Sequence, residues 1–506
     1  MKKFIRPIIA LIVIALSLLA AYGVLWTIPK PVKADSESFS AMRVAGNFSS
    51  IDSTGSFLAN RLVEAGGVQM QLDSNGKRGI AFDFPAKDSA APRLLLAARN
   101  RADASIEAEI LTQALRYRDL WNQGLRLFLQ NDSTELADNP VFENVGLAIC
   151  IDAGVSRGAA LLYRTSNGND SIMKLYKGSW YNRTHTLFNA FNGAGPTDRN
   201  FNSIATAVPA MLFTDEGTLG ASKGEMICDV AELGALKTIQ HYGSQIDPMV
   251  KKYLMGKEYG SVKALESGSD CTAFTNTVST LVVFSKGQMN LCNSIILLLF
   301  CLAFCMAIIR GRLKPANAIR ETGIILLATV LASLAGYCIF KFGWIDAAGP
   351  KASLAMKAIF YAIIAICVIV YSIMRGKAAR KASSRSLRTN AKSSGAAAYS
   401  YSVLYGDMIL CVALASVAFF TIKDDIFLTE PLICAVAGII LWRVTKLRLF
   451  LITSVAGILL YIIPLLTAYS AVVNNVAAAA VVPVAVCCAF LLITLTDLYV
   501  RRDKAV

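Results

Sequence analysis

Seven long apolar runs close the chain, at 291–309, 322–341, 353–374, 401–422, 426–442, 449–469 and 474–498, and an eighth opens it, from Pro7 to about Ile28. A helix rises 1.5 Å per residue, so runs of about 20 apolar residues match a hydrocarbon core of roughly 30 Å. A helix also satisfies its own backbone polar groups there. A chain of 506 residues with only 17% charged residues and a mean hydropathy of +0.50 fits this reading and excludes an ordinary soluble protein. The expectation is a multispan membrane protein with eight helices.

Loop charge tests that count independently, because cytoplasmic loops collect Lys and Arg. With the N-terminus inside, the inner loops carry Arg310, Arg312, Lys314 and Arg320, then seven basic residues between Arg375 and Lys392, then Arg443, Lys446 and Arg448, then Arg501, Arg502 and Lys504. The outer loops hold Asp346 and Lys351, then Lys423, Asp424 and Asp425. The alternation puts both termini in the cytoplasm and residues 29–290 on the other side, periplasmic in a bacterium and lumenal in a eukaryote. The N-terminal run, residues 1–28, reads as a retained anchor. A signal peptide cut after Val32-Lys33-Ala34 is the alternative. Residues 291–374 form a three-span group and 401–506 a four-span group with a short basic tail. The Ser-, Ala- and Lys/Arg-rich segment 375–400 between them reads as a basic cytoplasmic linker.

The formal charge of +15 has the same topological origin. Between Pro29 and Met289 there are 26 Lys+Arg and 27 Asp+Glu, so the excess belongs to the membrane half, and no nucleic-acid partner is expected. Only two histidines occur, His185 and His241, which excludes a histidine-rich metal site. Residues 29–290 contain Cys150, Cys228 and Cys271, enough for one disulfide at most. Within that region short apolar runs alternate with amphipathic stretches. Strands are expected near 79–83, 93–98, 125–130, 145–151 and 159–164, and helices near 55–65, 105–120 and 229–245. This alternation argues an α/β ectodomain, a mixed sheet flanked by helices, beside an all-α transmembrane domain. Sites in such folds lie at the carboxyl ends of strands.

After Leu94-Leu95-Leu96-Ala97-Ala98 comes Arg99-Asn100-Arg101; after Leu127-Phe128-Leu129 comes Asp132-Ser133-Thr134-Glu135; after Gly146 to Ile151 comes Asp152-Ala153. In that order these strand ends resemble metallopeptidase family 28, the di-zinc aminopeptidases. Phe39 to Arg43 resembles the family's opening helix, Gly55 to Gln71 its next helix and strand, and Asp152 to Asn169 the segment after its fourth ligand. Ala207 to Met211 resembles its Gly-Ile-Pro strand and Thr238 to Gly243 its closing helix. The resemblance covers about residues 39–250. An ectodomain of this kind before a multispan domain is similar in plan to the ER metallopeptidase and vacuolar membrane protease group. It is equally similar to the GPI-anchor attachment subunit, whose peptidase-like domain is non-catalytic.

Carried over position by position, the resemblance implies a degenerate metal site. Where the family has a His-x-Asp pair, this chain has Arg99 and Arg101, and neither can ligate. Where the family has Glu-Glu, general base then ligand, this chain has Thr134 and Glu135, so the base position is lost and the ligand kept. Asp152 matches the fourth ligand. The last ligand, a His, falls near Gly224 or Glu225. Catalytic zinc needs three protein ligands and a carboxylate base for its water. An arginine at about 4 Å and an effective dielectric near 20 would repel a divalent cation by on the order of 8 kcal/mol. No cofactor is therefore expected, and zinc only if the ligands are rearranged.

These readings lead to a non-catalytic peptidase-like ectodomain that binds a peptide or another protein or assembles a complex. Two competitors stand beside it. An active membrane-bound zinc aminopeptidase would require Glu135, Asp152, Glu225 and a histidine to converge. A transporter built on the C-terminal spans would use Asp407, Glu430, Asn474 or Asn475. The sequons at Asn47, Asn131, Asn169 and Asn182 are glycosylation acceptors only in a eukaryotic secretory compartment.

Overall fold

A computed structural model describes residues 39–50, 56–72, 78–98, 101–130, 136, 138–153, 160–178, 182, 184, 198–215, 233–269, 271–277 and 280–309, with scattered positions from 315 to 491. The chain divides into two compact units, Thr27–Lys286 and a second made of Met1–Trp26 with Gly287–Val506.

The first unit is a seven-stranded mixed sheet flanked by helices. Its strands are β1 (Val68–Met70), β2 (Ile80–Phe84), β3 (Arg93–Ala98), β4 (Gly124–Leu129), β5 (Val145–Asp152), β6 (Ala160–Thr165) and β7 (Ala210–Asp215), in the order β1-β2-β4-β3-β5-β7-β6. The four central strands β4, β3, β5 and β7 are parallel, and the outer strands pair antiparallel. Every residue of β3, β5 and β7 is buried. That burial explains why Arg93-Leu-Leu-Leu-Ala-Ala98 and Val145-Gly-Leu-Ala-Ile-Cys-Ile151 read as near-continuous apolar runs rather than alternating ones, since parallel strands are covered on both faces.

The helices are α1 (Ala41–Ser50), α2 (Ser56–Glu64), α3 (Arg101–Leu115), α4 (Asp170–Lys177), α5 (Asp198–Ala207) and α6 (Leu233–Met255). One face of the sheet carries Leu94, Leu96, Ile149, Ile151, Met211 and Phe213, which share a core with Ile106, Ile110 and Leu111 of α3 and Tyr242, Ile246 and Met249 of α6. The alternate residues Leu95, Ala97, Ala148, Cys150 and Leu212 are equally buried, and period-two alternation turns them to the opposite face. There α5 packs on β5 and β7. The helix α6 continues through Pro248 to Met255, ten residues past the end expected from the sequence. Proline removes one backbone donor from a helix interior, and here the apolar contacts of Met249, Val250, Tyr253 and Leu254 outweigh that loss.

A two-stranded hairpin, β8 (Cys271–Thr277) and β9 (Thr280–Ser285), ends this unit and was not anticipated from the sequence. The side chain of Asn169 anchors it. The Cys271 backbone N–H donates to its Oδ1 at 2.7 Å, and its own Nδ2 donates to Thr165 Oγ1 at 2.8 Å. This amide is buried and doubly bonded, so the Asn169 sequon is sealed in the fold. Cys150 and Cys271 are buried and in no disulfide, Cys271 Sγ donating to Asp170 Oδ1 at 3.3 Å, and Cys228 lies outside the described residues.

Of the second unit, the helix α7 (Lys286–Ile309) covers the first C-terminal apolar run. Among the described residues, no helix is long and apolar enough to cross a membrane, and several side chains of α7 lie outside them. The N-terminal run, the linker 375–400 and, apart from scattered positions, the other six C-terminal runs lie outside the described residues.

Candidate functional site

Strand order places the site. From β3 the chain passes through α3 to β4 on one side, whereas β5 pairs on the other side of β3. The winding therefore reverses between β3 and β5, and open α/β sheets bind ligands in the crevice outside the carboxyl ends at such a point. Asp152 ends β5 there, and α3 starts three residues after β3 ends.

Four carboxyl groups from three elements gather in this region. Asp103, in the first turn of α3, accepts a hydrogen bond from the Ala153 backbone N–H at 2.7 Å and so joins the helix to the end of β5. A carboxylate in that turn also complements the positive end of the helix dipole. Asp152 is buried, and its backbone carbonyl accepts from Thr214 Oγ1 at 3.1 Å and Tyr242 Oη at 3.4 Å. Asp215 ends β7, is fully buried, and accepts from the Tyr242 hydroxyl at 3.1 Å.

The fourth group is Glu107, one helical turn beyond Asp103 and fully buried. Neither carboxyl oxygen has a hydrogen-bond partner. Burial, and secondarily the charge of Asp103, pushes its pKa well above the usual carboxylate range. Desolvation disfavours the charged form of Glu107 and an adjacent acid does the same. Burial raises the Tyr242 hydroxyl, with Asp215, Asp152 and Asp103 adding to the effect. Burial raises the Cys150 thiol as well, followed by the charges of Glu107, Asp103 and Asp152, so Cys150 is no nucleophile at neutral pH.

Of the residues singled out in the sequence, Asp152 stands at the strand end expected for it. Arg101 is the first residue of α3, placed by its backbone. Arg99, Thr134, Glu135, Gly224 and Glu225 lie outside the described residues, so their convergence on Asp152 is not described. His241 sits half-buried on α6, its Nε2 at 3.4 Å from Gln245 Nε2, and His185 lies outside the described residues. Sequence reasoning missed Asp103, Glu107, Asp215 and Tyr242. Two signals were available: the i, i+4 acid pair on a helix otherwise lined by Ile106, Ile110 and Leu111, and an aspartate directly after Leu212-Phe213-Thr214.

Zinc is the metal that the family resemblance implies, and of the positions it assigns to the metal site only Arg101 and Asp152 lie among the described residues. Among all the described residues, no three His, Cys, Asp or Glu side chains gather closely enough to hold a metal ion. Asp103 and Asp215 each direct an oxygen to a donor of the protein itself.

A second buried ionic cluster lies at the opposite, amino-terminal end of the parallel strands. Asp83 of β2 accepts from Arg93 Nε at 3.0 Å and from Arg126 Nε at 3.1 Å. Arg126 also donates to the carbonyls of Val141 and Glu143, at 2.7 and 2.8 Å, and Arg93 to those of Ala91 and Ser89. These bonds cross-link β2, β3 and β4 with the loop before β5. The cluster is structural.

No protein-family model matches the chain, and no curated protein matches it. Among solved structures, the LapA aminopeptidase of Legionella pneumophila is similar at a TM-score of 0.25 and 9% identity, over 48% of this chain and 73% of that one. A likeness at that level carries no functional argument.

Proposed function

We propose that the chain is a multispan membrane protein whose domain 29–290, built on a family-28-like peptidase plan, recognises an extended peptide or another subunit without cleaving it. Both termini are cytoplasmic and the domain faces the other side, a topology supported by the basic inner loops. The observation that carries the non-catalytic reading is the internal use of two carboxyls of this crevice, Asp103 and Asp215. Asp103 ties α3 to β5, Asp215 ties β7 to α6 through Tyr242, and burial disfavours a charge on Glu107. Groups spent on the protein's own bonds are poor zinc ligands and poor bases. Arg99, Arg101 and Thr134, at the positions where the family carries ligand or base, support the same reading.

The full chain reconstituted in bilayer discs and titrated with a pool of extended peptides tests this proposal. It predicts saturable binding with every peptide recovered intact. Release of N-terminal amino acids by the parent chain, lost in an Asp152→Asn variant, would contradict it.

A further inference from the structure

The helix α7 has two unlike sides. Leu291, Ile295, Leu298, Leu302, Met306 and Ile309 recur at spacings of three or four residues and are between 46% and 83% exposed. At 3.6 residues per turn they form one stripe, widened by the exposed Cys301 and Cys305. Across the helix, Phe300 and Ala307 are buried, and the Phe300 and Phe304 rings lie together with centroids 6.0 Å apart. So α7 already has a side that faces protein, and the stripe, flanked by the exposed Leu297 and Leu299, lies away from it.

Resting on the multispan reading above, we propose that this stripe is a lipid-facing surface, in contact with the acyl chains of a bilayer, and that the Phe300/Ala307 side packs inward. Four observations commit it to lipid. From Leu291 to Ile309 the stripe is about 27 Å long at 1.5 Å per residue, close to the roughly 30 Å of a hydrocarbon core. No charged residue occurs from Gly287 to Ile309, whereas Lys286 precedes it and Arg310, Arg312 and Lys314 follow, which suits a span bounded by water at both ends. The exposed Ser294 donates its hydroxyl to the Asn290 carbonyl at 2.8 Å, so that polar group is satisfied within the helix. The stripe consists of large aliphatic side chains, whereas helix–helix contacts in membranes favour small residues that permit close approach. Ala307, a small residue of this helix, lies on the buried side.

The test uses the full chain in phospholipid bilayers with an apolar diazirine that partitions into the acyl region. After photolysis, carbene adducts are located by peptide mass spectrometry. The proposal predicts several-fold more adduct at Leu298, Leu302 and Met306 than at Phe300 and Ala307. Even labelling around α7, or labelling concentrated on Phe300 and Ala307, would overturn the face assignment while leaving the multispan reading intact. A protected stripe beside labelled later runs would show that protein covers it, and would also overturn the proposal. No adduct anywhere in 291–498 would remove the multispan reading and the inference together.

Discussion

Glu107 is the residue whose environment says most about the site, because it is fully buried with no hydrogen bond to stabilise a charge. Folding raises its pKa above the ordinary 4.5, so the folded chain holds a proton that the unfolded chain has given up. Stability therefore falls as pH rises from about 4.5 toward the raised value, by at most about 1.4 kcal/mol per pH unit. Glu107→Gln removes this titration, and thermal melts should show its melting temperature gaining on the parent's from pH 4.5 to 8. Asp247 on α6 behaves alike: burial lifts it from 3.8 to about 6 against the opposing charge of Lys251, with Glu109 adding to the rise. Its stability contribution is lost between pH 4 and 6, and Asp247→Asn should flatten the profile there. The group is half-buried, so the effect is on the order of 1–2 kcal/mol. Asp103→Ala leaves the Ala153 N–H without its acceptor and should cost about 1–3 kcal/mol in chemical denaturation. At this scale Asp152 was legible in the sequence because it directly follows an apolar run. Glu107 was harder to read, because acids on a helix read as solvent-facing until packing buries them.

Among the elements, the interior parallel strands were the legible part. β3 and β5 lie within a residue of their expected bounds because burial on both faces makes them continuous apolar runs. The hairpin β8–β9 was hidden, since Cys271-Thr-Ala-Phe-Thr-Asn-Thr277 mixes small polar residues with one aromatic and offers no clean period. It is held in place by the Asn169 amide, a contact 102 residues away in sequence. The cross-link of β2, β3 and β4 through Asp83 gives the test at this scale. Asp83→Ala leaves two buried guanidinium groups without their carboxylate and should cost about 3–5 kcal/mol. The adjacent Gly124 is constrained by the same cluster, because a Cβ there would stand 2.5 Å from Arg93 Cδ. Gly124→Ala should therefore destabilise in the same direction by a smaller amount.

For the whole molecule, the sequence spoke through two kinds of signal. Apolar run length and loop charge proposed the membrane half, and strand-helix alternation proposed the mixed sheet, which the fold bears out. The strand order was not legible, because β6 inserts beyond β7 and pairs across 45 or more residues of sequence through contacts that no local pattern encodes. That order creates the reversal between β3 and β5 where Asp103 and Asp152 meet. The central proposal is that this crevice serves recognition without metal chemistry. The most direct measurement is elemental analysis of the purified full chain after zinc loading and desalting, with an aminopeptidase assay on the same sample. The account predicts zinc well below one equivalent and no released amino acid; stoichiometric zinc with turnover would contradict it.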